Sequence, residues 1–378
     1  MEKVQLGTLV KITSGFAFKS NLFNTDKNGL PLIRIRDVVR GHSDTYYDGE
    51  YKTEYLIQND DALIGMDGEF NLALWKGGKA LLNQRVCKIQ SIDERLDQNY
   101  LIRFLPKALK DIEDKTPFVT VKHLSVKDIN NIQIPLPPLA EQRRIASILD
   151  KADELRQKRQ QAIEKLDQLL QATFIDMFGD PVSNPKGWDL YKLSDLGSIS
   201  TGNTPSRDDA DNFGNYLEWI KSDNLNNDED YATTATEYLS EKGAKKGRVV
   251  PEGSILVTCI AGSFDCIGNL AMVDRKVSFN QQINSITPND TVVLEFLYYL
   301  MKISKPIIQN ASTNSMKGMI SKSKFSEILL PIPSKEKQIQ FVELFKKLYG
   351  LKVSHKLYSN NADSLFKSLQ NQAFNGTL

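Results

Sequence analysis

Between residues 139 and 178 the chain contains neither proline nor glycine, and Ile145, Ile148, Ala152, Leu155, Ala162, Leu166 and Leu169 fall at intervals of three, four or seven. That spacing predicts one long α-helix with a narrow apolar stripe. A second stripe follows the same pattern, 196 residues on, with Phe341, Leu344, Leu348, Leu351, Tyr358, Ala362, Leu365 and Leu369. Both are interrupted at one matching position, Arg159 in the first and His355 in the second. A stripe this narrow needs a partner helix, and its own copy is the nearest candidate. Helix one leaves the first globular segment for the second and helix two starts from the second, so the pair must be antiparallel. A polar break at mid-helix suits a register-setting layer.

The segments before each helix also match. Val4 to Gly15 aligns with Tyr191 to Gly202, Leu32-Ile33-Arg34 with Trp219-Ile220-Lys221, Asp61 to Ile64 with Gly253 to Leu256, Asn83-Gln84 with Asn280-Gln281, and Ile134 to Pro137 with Leu330 to Pro333. The offset moves only between 187 and 197, as expected of a duplicated core with different loops. Within each copy, Pro31 to Arg36 alternates apolar with basic and predicts a half-buried strand with a cationic face. Ser254 to Ile260 predicts a buried central strand, and Asn99–Leu105 and Leu294–Met301 predict short equivalent helices. Each copy ends in a proline-punctuated exit, a natural launch point for a helix. The expected fold class is therefore α+β. Two duplicated mixed segments, 1–136 and 181–333, are joined by two long antiparallel coiled-coil helices, 137–180 and 334–378, in a pseudo-twofold circular arrangement.

Composition is ordinary for a soluble globular protein, with 25% charged and 40% hydrophobic residues. No apolar run reaches the roughly 20 residues of a membrane helix and no signal-peptide pattern opens the chain, which gives the expectation of a cytoplasmic protein without a membrane partner. Cys87, Cys259 and Cys266 show no metal spacing and read as buried small apolar side chains. Net charge is +1. Residues 1–136 carry 19 basic and 18 acidic side chains and residues 181–333 carry 15 and 18, so any polyanion must be met by a local patch.

Catalytic equipment is missing from the sequence. There is no Gly-x-Gly pair, no Gly-x-x-x-x-Gly-Lys-Ser/Thr loop, and the three histidines, His42, His123 and His355, are scattered. The chain is expected not to be an enzyme and to bind neither metal nor cofactor.

Three features carry a family resemblance. They are Ile134-Pro135-Leu136-Pro137-Pro138-Leu139-Ala140-Glu141-Gln142-Arg143-Arg144-Ile145, its echo from Pro331-Ile332-Pro333 to Glu336-Lys337-Gln338-Ile339, and the junction Met177-Phe178-Gly179-Asp180-Pro181 with Asn184-Pro185-Lys186-Gly187-Trp188. Over essentially its full length the chain resembles the specificity subunit of type I restriction-modification systems. The resemblance implies that the globular segments are target recognition domains, each reading half of a bipartite asymmetric site in double-stranded DNA, and that the helices are spacers. Two methyltransferase subunits would dock on those spacers, with restriction or translocase subunits as further partners. S-adenosylmethionine, and ATP with magnesium, would sit on the partners. The second launch site departs from the pattern, with Ser334 and Lys335 where Pro138 and Leu139 stand.

Base edges and phosphates are met by Arg, Lys, Asn and Gln. DNA-contact candidates in the first segment are Arg34, Arg36, Lys76, Lys79, Arg85, Lys122 and His123; in the second they are Lys221, Lys245, Lys246, Arg248, Gln282, Lys317 and Lys322. A plain surface charge is the competing reading of each. Two clusters rise above it: Glu241 to Arg248, read as a flexible basic loop, and Asn314 to Lys322, read as a polar hairpin whose counterpart is Pro117 to His123. The acidic runs Asp208–Asp211 and Asp228–Asp230 are expected to face away from DNA or to repel wrong placements. Leu149, Ile163, Leu170, Phe174 and Phe345 are candidate partner-docking positions, with core packing as the alternative. Two readings compete with DNA recognition by a subunit. One is a two-headed protein-binding adaptor that never touches DNA, and it predicts no salt-dependent DNA association. The other is a stand-alone regulator, which the modest charge disfavours.

Overall fold

The computed structural model describes residues 2–116, 122–226, 229–313 and 318–378. They form two compact units, one of Met1–Gln160 with Leu357–Leu378 and the other of Gln161–Lys356.

In the first unit, strand Lys3–Gln5 pairs antiparallel with Gln133–Pro135. A four-stranded antiparallel sheet runs in the order Val10–Ser14, Val86–Ser91, Ala62–Gly65, Leu72–Leu74. A five-stranded mixed sheet runs Phe23–Asn24, Tyr46–Tyr47, Leu30–Ile33, Ala80–Leu82, Leu56–Ile57, with Leu32 opposite Leu81 in its one parallel pair. Helix Gln98–Lys115 buries Tyr100, Leu101, Phe104, Leu105 and Leu109 against the first of these sheets, so the core lies between helix and sheet.

The second unit repeats this plan and adds one short antiparallel pair, Ile260–Ala261 with Gly318–Met319. Leu190–Lys192 pairs with Leu329–Pro331; Gly197–Thr201, Ile283–Pro288, Ser254–Thr258 and Leu270–Val273 form the antiparallel sheet; and Leu217–Ile220 runs parallel to Val277–Phe279 in the five-stranded one. Helix Leu294–Ile303 covers the sheet with Phe296 to Met301. Its counterpart in the first unit extends well beyond the expected Leu105. Asp97 caps it by accepting the Asn99 and Tyr100 N–H groups, and the apolar spacing continues to Leu109.

The two long helices are Leu139–Phe178 and Lys335–Asn375, and each unit contains an antiparallel stretch of the pair. In the first unit Arg156 meets Asp363 and lies over the Phe366 ring, Arg159 lies over Tyr358, and Ile145 and Leu149 share a core with Phe374. In the second, Asp167 pairs with Lys352, and Phe174 packs on Phe341. The apolar stripe is not a continuous seam. Leu155, Leu169, Leu351, Tyr358 and Leu365 are each more than half exposed. A stripe with a mean spacing near 3.5 residues drifts around a 3.6-residue helix, so its middle positions turn outward and ion pairs take over the contact.

Several expectations are corrected here. Pro31 to Arg36 is not one strand, because Ile33 ends it and a helix, Ile35–Arg40, begins, with the Asp37 carboxylate accepting the Arg34 N–H and Gly41 closing it in the left-handed region. Glu241 to Arg248 is not a loop, since Glu241–Lys246 is a helix capped by Ser240. Asp230, at the end of the second acidic run, is buried among Tyr298, Lys302 and Lys352. Leu149, Ile163, Leu170, Phe174 and Phe345 are all buried within this chain, so they serve its cores rather than an exposed docking face. Cys87 and Cys259 are buried, their thiols pushed up to about 12 by burial, whereas Cys266 is only half-buried.

Candidate nucleic-acid interface

In the first unit one carboxylate organises the richest cationic group. Asp37 is fully buried, and Arg34, Arg36 and Arg40 approach it at 3.7, 3.8 and 3.6 Å. A buried charge must be paired, and here the pairing leaves three guanidinium groups around one point of the surface. Arg34 also donates to Thr45. Arg40 reaches Asp44 at 3.1 Å and His42 Nε2 at 3.1 Å. The alternation that singled out Arg34 and Arg36 missed Arg40 and His42. The i, i+3 step from Asp37 to Arg40 becomes visible only once the segment is known to be helical.

A second group forms where three backbone segments meet. The Met66 N–H donates to the Arg85 carbonyl, the Gly68 N–H to that of Lys122, and the Leu124 N–H to that of Met66. This brings Arg85 and His123, 38 residues apart in sequence, around Asp67. His123 Nδ1 donates to Asp67 Oδ1 at 2.6 Å, Arg85 Nε lies 3.5 Å from Asp67 Oδ2, and Arg85 Nη1 is 3.2 Å from His123 Nδ1. Arg85 adopts φ 70°, which costs a residue with a Cβ about 1–2 kcal/mol. Lys122 is tied inward by a 2.7 Å bond to the Glu113 carbonyl. Lys76 is exposed and loosely paired with Asp60 at 3.5 Å, and Lys79 is exposed without an ion pair among the described residues.

The second unit places its cations differently. Lys221 bonds Glu237 and lies over the Trp219 ring, where Arg207, absent from the sequence candidates, also stacks. Hydrogen bonds from Lys221, then Arg207, hold the Glu237 carboxyl below its ordinary range. The acidic run near residue 209 neutralises neighbouring lysines: Asp209 takes bonds from Lys242 and Lys246, which hold its carboxyl low. Lys245 pairs loosely with Glu241. Arg248 is exposed, with its backbone N–H bonded to Asn203, and Lys322 is exposed in the first turn of a short helix. Gln282 is occupied internally, its Oε1 accepting from Asn280 and Ser222. Asn314 to Lys317 of the second unit's cluster and Pro117 to Val121 of its counterpart lie outside the described residues.

Among the described residues no group of His, Cys, Asp and Glu is disposed to hold a metal ion, and no helix is long and apolar enough to cross a membrane.

The chain is 29% identical over 417 aligned residues to the type I restriction enzyme EcoBI specificity subunit of Escherichia coli, covering all of this chain and 86% of that protein. It is 34% identical over 196 residues to the HindI specificity subunit of Haemophilus influenzae, covering 50% of this chain and 42% of that one. In fold it resembles the crystal structure of the type I restriction-modification S subunit from M. genitalium, with TM-score 0.60, 15% identity, and coverage of 99% and 96% of the two chains. A chain from a study of complex assembly and conformational transition of the type I system gives TM-score 0.56 at 17% identity, covering 100% and 98%. The sequence model of the type I restriction modification DNA specificity domain matches residues 1–165 and again 185–358, and the chain belongs to that family.

Proposed function

We propose that this chain is the noncatalytic DNA-recognition subunit of a type I restriction-modification complex, each globular segment reading one half of a bipartite, asymmetric site. The observation that carries the reading is the repetition of one sheet plan with different cations on each copy. Equal folds present a surface in the same way, while unequal side chains specify unequal half-sites. The adaptor alternative gains nothing from the comparisons, since the relatives are named as specificity subunits.

Two methyltransferase subunits are the proposed partners of the helices, and restriction or translocase subunits complete the assembly. S-adenosylmethionine, and ATP with magnesium, belong to those partners, and the site of action is the cytoplasm. For docking, the exposed apolar positions Leu155, Leu357 and Leu365 in the first unit and Leu169, Ile339 and Leu351 in the second replace the buried residues named from sequence.

Co-expression with the modification subunit of the same host, followed by single-molecule sequencing for methylated adenines, tests the reading. One bipartite motif with a constant gap is the expected result. A complex that forms yet neither binds nor modifies DNA removes it.

A further inference from the structure

We infer that Arg85 is the guanine-reading residue of the first globular segment, held in reading position by Asp67 and His123; this rests on the DNA-recognition reading above. Three observations converge on it.

The first is backbone strain without a topological cause. Arg85 occupies the third position of the turn Asn83–Val86, at φ 70°. The equivalent turn in the second unit, Asn280–Ile283, closes with the same bond, Ile283 N–H to the Asn280 carbonyl at 3.2 Å, and places no residue in the left-handed region. The fold therefore does not demand the conformation, and a glycine would have supplied it free of strain. An arginine kept in such a position marks a functional constraint on where its side chain points.

The second is anchorage. Gln84 N–H donates to the Phe16 carbonyl at 2.8 Å, and the Arg85 carbonyl accepts the Met66 N–H at 2.9 Å, so the turn is pinned on both sides. The side chain is held as well: Asp67 sits beside Nε, and Asp67 is itself fixed by His123 at 2.6 Å. The Arg85 side chain remains 54% exposed, with Nε beside Asp67 and Nη1 3.2 Å from His123 Nδ1.

The third is electrostatic. A fixed, planar pair of donors matches either the O6 and N7 acceptors of guanine or two phosphate oxygens. Asp67 separates the two cases. Its carboxylate, 3.5 Å from the guanidinium, would repel a phosphate brought to the same group, whereas the guanine edge is neutral. Phosphates are better served by cations free of such a neighbour, as Lys79 is among the described residues.

The test uses the assembled complex with its modification subunit, comparing wild type, Arg85→Gly and Arg85→Lys by single-molecule sequencing of methylated DNA. Arg85→Gly suits the left-handed turn, so the fold is retained and loss of reading is not confused with unfolding. Wild type is expected to require a G·C pair at one position of a half-site. Both variants should relax that position alone, with preference for the pair falling about tenfold or more. An unchanged motif, methylated more slowly and with a shallower salt dependence, makes Arg85 a phosphate contact and overturns the assignment. So does relaxation at an A·T position, or full retention of the motif by Arg85→Lys, which keeps the charge but not the fork. If the wild-type complex neither binds nor methylates DNA, the function reading itself fails, and the Arg85 assignment falls with it.

Discussion

Gln338 donates from Nε2 to the Pro333 carbonyl at 3.0 Å, and its Oε1 accepts the Val293 N–H at 2.9 Å, fastening the start of the second long helix to the segment that precedes it. Gln142 repeats the arrangement, donating to the Pro137 and Arg95 carbonyls at 2.8 and 2.7 Å and accepting the Asp97 N–H at 2.8 Å. Both amides are buried. The glutamine that marks each launch site in the sequence is thus a structural clasp. Lys335, where the first copy has Leu139, adds a 2.7 Å bond to the Asp290 carbonyl, so the departure from the Pro-Pro-Leu pattern leaves the launch intact.

Replacing either glutamine by alanine leaves a part-buried backbone N–H without its partner, and should cost about 1 kcal/mol or more. Denaturant unfolding of Gln142→Ala and Gln338→Ala measures this. A midpoint equal to wild type would show that the clasp is dispensable.

The buried group around Lys352 predicts a pH dependence. Burial pushes the Asp230 carboxyl up, but the charge and hydrogen bond of Lys302, the Lys352 charge and the Tyr298 hydroxyl outweigh it and leave the group below its ordinary range. Burial likewise pulls the Lys352 ammonium down, and the Asp167 bond and the Asp230 charge outweigh it, leaving it raised. A lowered carboxyl contributes stability above its unfolded value, near 3.9, and loses it as pH falls through the folded value. A raised ammonium contributes below its unfolded value, near 10.4, and loses it as pH rises through the folded value. Stability of the second unit should therefore fall at both extremes, and Asp230→Asn should flatten the acid limb. An acid limb identical in wild type and variant would assign it to other groups.

Free and tied cations should behave differently toward DNA. Removing a cation that contacts a phosphate lowers the slope of log affinity against log salt by about 0.9. Arg248→Ala, in which an exposed guanidinium is lost, should show a larger decrease than Lys246→Ala, whose ammonium already faces Asp209 at 3.1 Å. Titrations of the assembled complex across a salt series decide it, and equal slopes would remove the distinction.

Partner docking can be separated from folding. Leu351→Asp and Leu365→Asp place charge on exposed helix positions and should leave the unfolding free energy within about 0.5 kcal/mol of wild type while abolishing co-purification of the modification subunit. Intact co-purification would move the docking surface elsewhere.

How much of this was legible beforehand differs by level. Duplication, the two long helices and their launch points were readable because they rest on periodicity and proline, which are local signals. The Asp37 arginine group was half readable: Arg34 and Arg36 stood out, but a six-residue helix is too short to announce itself over an alternating pattern. The meeting of Asp67, Arg85 and His123 had no local signal, since it depends on pairing between segments far apart in sequence. Core packing, the alternative reading of the docking candidates, is what their burial bears out, and the exposed positions were hidden for a related reason. A stripe reveals that a face is apolar but not which of its members turn outward as the helix twists past its partner.

The first unit is assembled from two separate stretches, residues 1–160 and 357–378, while the second is one uninterrupted stretch, residues 161–356. Phe374 fills a core place beside Tyr100 and Phe104, at ring distances of 5.5 and 5.1 Å, although about 270 residues intervene. During synthesis the order of completion is therefore reversed. The later-made unit has all its parts first, and the earlier-made one must wait on the ribosome, its core incomplete, until residues 357–378 emerge. Deleting residues 357–378 would strike the core of residues 1–160, the segment farthest from them in sequence.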